Sequence, residues 1–238
     1  MESQSHSAPY KGPERRKGPR LSQEQWRRQE RMSSYTAGVS ALISMAAAWI
    51  LLVAAARYGN LRHILSFTIF GSSMVILYGA STFMHALPLG KTRRLFEELD
   101  LAGIFLLIAG TYTPFTIITL QNAWGWVLFG VIWLLAGLGV LGMLKYRKQF
   151  EKWAAYIYLV MGWLIVIAIK PLAANLAPGG LILLVAGGLA YSLGVVFFLW
   201  TRFLHHHAIW HIFVMVGSFL HFLAILLYVL PDMRGGWP

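Results

Sequence analysis

The 238-residue chain contains no cysteine. Disulfides and thiolate ligands are therefore excluded, and any transition-metal site has to be built from histidine and carboxylate. Acidic residues are scarce, nine against twenty Lys and Arg, and charged residues make up only 12% of the chain. That is too little charge to cover a soluble domain of this length. In its place 58% of residues are hydrophobic and the mean hydropathy is +0.61, which describes a polytopic membrane protein. A short apolar core followed by small residues is missing from the polar, basic start, so the first membrane helix is expected to act as its own targeting signal. The formal charge of +11 is confined to the ends and loops of apolar segments. It reads as a topology signal, and nucleic acid is not an expected partner.

Residues 1 to about 20 are rich in Ser, Pro, Gly and charge and are expected to be disordered. Ser22 and Gln25 then form a capping-box pattern with Leu21 and Trp26 at the staple positions, which predicts a short interfacial helix starting near Gln23. Its RRQER face suits anionic headgroups. Seven apolar stretches follow, at about 35–56, 64–87, 99–119, 124–144, 154–175, 179–200 and 206–229. Each is long enough to cross a hydrocarbon core of about 30 Å. Short polar separators (RYGNLRH, GKTRRLFEE, QNA, KYRKQFEKW, NLAPGG, TRFLHH) imply antiparallel neighbours. The expected fold is all-α, a seven-transmembrane helix bundle over 31–230. A basic segment precedes it at 1–30 and a short external tail follows at 231–238.

Counting Lys and Arg on alternate sides of seven spans puts sixteen on the side of the N-terminus and four on the other. The expected orientation is N-terminus cytoplasmic and C-terminus outside, in a bacterial plasma membrane. Gly137, Gly139 and Gly142, and Gly187 and Gly188, read as small-residue surfaces for close helix approach.

Ionisable groups inside membrane helices are costly and call for a reason. His207 and His211 are one helical turn apart at the start of the last apolar stretch, about 6 Å from each other, a spacing at which two neutral imidazoles can share a metal ion. Ser81 and His85 stand one turn apart at the end of the second stretch. Asp100 is the one carboxylate embedded in an otherwise apolar run. With seven alternating spans, His85, Asp100, His207 and His211 all fall at one depth near the inner leaflet. Three histidines and a carboxylate at one level satisfy what a buried zinc site requires, although Asp100 also suits an N-terminal cap and His85 an interfacial histidine. His205 and His206 read as loop residues. His221, about 21 Å deeper than His207, is too far to share its metal and reads as a core histidine. Thr111, Thr113 and Pro114 are expected to bend and patch their helix, and Lys170 before Pro171 to snorkel to the opposite headgroups.

At these residues the chain resembles the hemolysin III family, which belongs with the progestin and adipoQ receptors and more distantly resembles alkaline ceramidases. The likeness covers about 30–225. It rests on Ser81-xxx-His85, on Leu99-Asp100 followed by LAGIFLLIAGTYTPF, on MGWLIVIAIKPL and on HAIWHIFVMVGSFLH. The resemblance implies seven helices, zinc held by His85, His207 and His211, and Asp100 and Ser81 serving the metal's water or second shell. The family's Glu-x-x-Asn-x-x-Thr-His motif is kept here as Glu30 and Thr36, with Ser33 in place of Asn and Ala37 in place of His.

The function expected from these residues is a zinc-dependent hydrolase, with membrane lipid amides or esters as substrate and Asp100 and Ser81 as catalytic groups. A non-catalytic receptor or regulator of lipid homeostasis with structural zinc is the alternative. A cytolytic pore suits seven apolar helices least.

Overall fold

The computed structural model describes residues 22–200, 202 and 205–230. The expectations for the first twenty residues, for Leu21 as a staple partner and for the tail at 231–238 lie outside the described residues. Within them the chain is all helical. The segments are α1 (Gln23–Tyr58), α2 (Leu61–Ala86), α3 (Lys91–Pro114) with a π-helical turn (Phe115–Leu120), α4 (Ala123–Trp163), a 3-10 turn (Leu164–Ala168), α5 (Ile169–Asn175), α6 (Pro178–Leu199) and α7 (His206–Tyr228).

Local chemistry sets the ends. Ser22 accepts from the Gln25 amide at 3.2 Å while Gln25 Oε1 accepts from the Ser22 amide at 2.9 Å, the reciprocal capping box read from the sequence. The helix it starts is not a separate interfacial element. It runs unbroken into the first apolar stretch, because no Gly or Pro interrupts the residues from Gln23 to Ala37. Asn60 caps α2 in the same way, and Pro178 opens α6 at a position that needs no amide donor.

Among the described residues six helical stretches, not seven, are long and apolar enough to cross a membrane. The expected spans 124–144 and 154–175 belong to one 53-residue stretch, Ala123–Asn175. Their supposed loop, KYRKQFEKW, is helical because Lys, Arg, Gln and Glu are good helix formers and the segment holds neither Gly nor Pro. Its single departure is Tyr146, at φ −129° and ψ 35°, where the stretch kinks sharply enough for the Phe150 ring to lie against Gly142. The assignment of the N-terminus to the cytoplasm and the C-terminus to the outside alternated sides over seven spans, and it falls with that count.

Packing follows small-residue seams. On α1 the buried face is Ser33, Ala37, Ser40, Ser44, Ala47, Leu51 and Ala55, a repeat of three and four residues that lets α2 approach closely. At Gly71 the two helices are in close contact, since a Cβ there would stand 2.7 Å from that of Ala48. α7 lies against both α1 and α6.

The polar residues of α3 do what their positions suggest. Thr111 and Thr113 return their hydroxyl protons to the carbonyls of Leu107 and Ala109, and the π turn begins directly after Pro114. Tyr112 repairs a second irregularity. Its hydroxyl donates to the Met161 carbonyl at 2.8 Å and accepts from the Ile165 amide at 2.8 Å, where α4 gives way to the 3-10 turn. Arg147 pairs with Glu97 at 2.6 Å, which fixes the middle of the 53-residue stretch beside the start of α3. Lys170 is exposed, as expected for a snorkelling side chain.

Candidate metal centre

The last turn of α2 and the first turns of α1, α3 and α7 meet at one end of the bundle. His85 enters from α2, and His207 and His211 from successive turns of α7. One ring nitrogen from each lies within 4.8 Å of the other two, and all three side chains are buried. The ring centroids are 4.9 Å apart for His85 and His207, 5.2 Å for His85 and His211, and 4.6 Å for His207 and His211. Three imidazoles this close, drawn from two helices, form a cluster that could hold a metal ion.

The residues around the cluster fix which nitrogens face it. His85 Nδ1 lies 2.9 Å from Glu30 Oε2, and a carboxylate can only accept, so Nδ1 carries the proton. His85 Nε2 is left with its lone pair, buried and with no hydrogen-bond partner among the described residues. His211 Nδ1 lies 3.2 Å from the Ser33 carbonyl, which likewise can only accept, and 3.1 Å from Thr36 Oγ1. Its Nε2 lone pair therefore points away from α1, with Ser81 Oγ at 3.2 Å. Two imidazoles whose Nδ1 protons are tied to a carboxylate and a carbonyl, leaving Nε2 unprotonated, are in the state a divalent metal selects. This donor set fits zinc chemistry.

Glu30 is held in turn. Arg93, 6% exposed, donates to Glu30 Oε2 at 2.6 Å and to the Leu87 carbonyl at 3.2 Å, and its guanidinium stacks over Trp26 at 5.5 Å. A buried arginine is tolerable only with such compensation. The start of α1 is thereby tied to the end of α2 and the start of α3.

Of the residues picked out from the sequence, His85, His207, His211 and Ser81 come together. Asp100 is buried on α3, on the same face as Arg93 and two turns further along, but its carboxylate is not one of the atoms within the 4.8 Å group. His205 stands outside the helix as the α7 N-cap, in a left-handed conformation with φ 65°. His221 is a core histidine whose Nε2 donates to the Leu184 carbonyl at 3.0 Å. Sequence reasoning missed the supporting roles of Glu30 and Arg93. The signal for Glu30 was available, because Glu30, Ser33 and Ala37 repeat at helical spacing on one face. Ala37, where the family motif carries His, is fully buried.

Comparison with known proteins shows the family. Residues 25–222 match the family described as Haemolysin-III related. The chain is 44% identical to Hemolysin-3 of Bacillus cereus over 207 residues, 87% of this chain and 94% of that protein. It is 42% identical to the Hemolysin-3 homolog of Bacillus subtilis (strain 168) over 201 residues, 84% of this chain and 94% of that one. The human monocyte to macrophage differentiation factor is 29% identical over 167 residues, 68% of this chain and 69% of its own length. With most of its length matched and the histidine cluster assembled, this integral, multi-pass membrane protein belongs to the haemolysin-III-related family.

Proposed function

We propose that the chain is a zinc-dependent hydrolase that cleaves an amide or ester bond of a membrane lipid. The observation that carries this reading is the buried three-histidine cluster with its Nε2 lone pairs fixed by Glu30 and by the Ser33 carbonyl. His85, His207 and His211 would hold the metal. Bound there, zinc supplies Lewis acidity, polarising a carbonyl and bringing a water's pKa down to about 7.

The remaining steps fall to the chain's own side chains. Asp100 accepts a proton from the attacking water and returns it to the leaving amine or alcohol. Ser81, already beside His211, orients the water or donates to the developing oxyanion. The substrate's tail has a place to lie. Ile104, Leu107, Ile108 and Thr111 continue the Asp100 face of α3 and line a largely apolar cavity of about 110 Å³, which Trp210 and Val214 of α7 also line.

The site lies at the end of the bundle that carries Arg27, Arg28, Arg31, Arg93 and Arg94, and the salt bridges of Arg147. Positive charge concentrates on the cytoplasmic side of bacterial membranes, so the reading places the chemistry near the cytoplasmic leaflet of the plasma membrane. Anionic headgroups would meet the basic N-terminal segment there. Fatty-acid release from sphingolipid and phospholipid panels, compared between the purified wild type and Asp100→Ala, tests the proposal. Release by the wild type alone supports it, and equal release or none across a broad panel rejects it.

One observation favours a second reading. α2 and α7 are joined through His85 with His207 and His211, Ser81 with His211, and Tyr78 with Ser218 at 2.8 Å. A metal at the first of these would pin the two helices, as a non-catalytic regulator of lipid homeostasis with structural zinc requires. Metal-dependent stability without turnover distinguishes it. The cytolysis in the relatives' printed name is the least supported activity, and liposome dye release is its test.

A further inference from the structure

The polar stretch KYRKQFEKW plays no part in the metal centre. It forms the bend of α4 at Tyr146, and there its charges are sorted by sign. Arg147 takes up the acidic side chains of the neighbourhood, 2.6 Å from Glu97, 3.7 Å from Glu98 and 3.9 Å from Glu151. Lys145, Lys148 and Lys152 are exposed, and among the described residues none of them has a carboxylate within ion-pair distance. The outer side of the bend is thus a patch of three ammonium groups whose counter-charge has to come from outside the chain.

The residues next to the lysines along the helix identify that counter-charge. Before the bend, Lys145 shares a helix face with Leu141, Leu138 and Leu134, at steps of four, three and four residues, and all three leucines are exposed. After the bend, Lys152 shares a face with Tyr156 and Val160, with Trp153 beside them, and these three are exposed as well. The Trp153 and Tyr156 rings are 6.2 Å apart and stand between the ammonium group and the valine. Each arm of the bend therefore carries a cation at one end of an apolar stripe, about 16 Å long from Lys145 to Leu134 and about 12 Å from Lys152 to Val160. We propose that the bend of α4 is a docking surface for an anionic diacyl phospholipid, with its phosphate on Lys145, Lys148 and Lys152 and its acyl chains along the two stripes.

The order of chemistry along the arms matches that occupant. Phosphate, glycerol esters and hydrocarbon follow one another in a phospholipid, as ammonium, interfacial aromatic rings and aliphatic side chains follow one another from Lys152 to Val160. A soluble anion would use the lysines and leave the leucines without a partner, and a neutral lipid would do the reverse. Lysine suits the task, because a point charge on a flexible stem follows a headgroup that moves with its bilayer. Each exposed ion pair contributes little alone, so the three lysines act together with the stripes beneath them. The surface is separate from the histidine cluster, and its occupation needs neither metal nor turnover.

The test is native mass spectrometry of the full chain in detergent, titrated with phosphatidylglycerol or with phosphatidylcholine of the same acyl chains, whose choline cancels the phosphate charge. The first phosphatidylglycerol is expected to bind about tenfold more tightly than phosphatidylcholine. Lys145→Gln, Lys148→Gln and Lys152→Gln combined remove that preference, whereas Arg27→Gln, Arg28→Gln and Arg31→Gln combined keep it. No preference, a preference that survives the lysine variant, or one lost in the arginine variant overturns the proposal. Glycerol 3-phosphate at the same concentration should leave the lipid bound, and displacement by it would make the patch a site for free anions and overturn the lipid assignment. Should the lysine variant not fold, wild type decides: phosphatidylglycerol carrying a diazirine in its acyl chain, in excess phosphatidylcholine, labels peptides within 134–160, and labelling confined to other segments overturns the proposal. Asp100→Asn keeps the preference, so failure of the hydrolase reading is told apart from failure of this one.

Discussion

Glu30 Oε2 accepts a hydrogen bond from His85 Nδ1 at 2.9 Å, joining two residues 55 positions apart and tying the start of α1 to the end of α2. A carboxylate behind an imidazole orients the ring, fixes the tautomer and strengthens the other nitrogen as a ligand. Removing it leaves the imidazole able to reorient in its cavity. Glu30→Ala should lower zinc affinity by about ten- to a hundredfold, measured by competition with a chromophoric chelator. Unchanged affinity would mean that packing alone aligns His85.

Metal content follows from the number of ligands. The wild type should carry one zinc per chain by mass spectrometry of the purified protein, and His85→Ala and His207→Ala should carry essentially none. With two imidazoles left, the site loses the minimum set of three protein ligands that zinc sites use. Stoichiometric zinc in either variant would place the metal elsewhere.

The hydrolase proposal gives Asp100 the proton transfer, and Asp100 lies outside the 4.8 Å histidine group. Asp100→Asn, nearly the same size, should therefore retain zinc and lower lipid hydrolysis by about a hundredfold or more. Loss of metal in this variant would instead make Asp100 a supporting residue of the site.

Tyr112→Phe tests the fold away from the metal. The hydroxyl satisfies the Met161 carbonyl and the Ile165 amide at the α4 to 3-10 junction, and water cannot easily replace it in a membrane interior. The variant should lose about 1–3 kcal/mol, read as a lower thermal midpoint in detergent, with zinc content unchanged. An unaltered midpoint would show the junction to be satisfied in another way.

At Gly71 the α1 and α2 backbones approach so closely that a Cβ would fall 3.0 Å from the Ala48 Cα. Gly71→Val should force the helices apart and reduce the folded yield by size-exclusion chromatography, whereas Gly79→Val, with open space at its Cβ, should not. Equal yields would mean that the seam yields without cost.

The sequence by itself determined that this is an all-helical membrane chain, because long apolar runs in lipid can satisfy their backbone only as helices or closed barrels. It also determined the Ser22 capping box and the pairing of His207 with His211, since both depend on residues within one turn. The count of crossing helices was not legible. A run of charged helix formers such as KYRKQFEKW has the composition of a loop and the propensity of a helix, and the ion pair of Arg147 with Glu97 beside the Tyr146 kink is non-local. The site was legible in its ligands and, beyond the helical spacing of Glu30, Ser33 and Ala37, illegible in its support. Histidines stand out in an apolar run, whereas a glutamate and an arginine near helix ends look like ordinary surface charge. Only the tertiary packing of α1 and α3 against α2 turns Glu30 and Arg93 inward, because burying one of them requires the other.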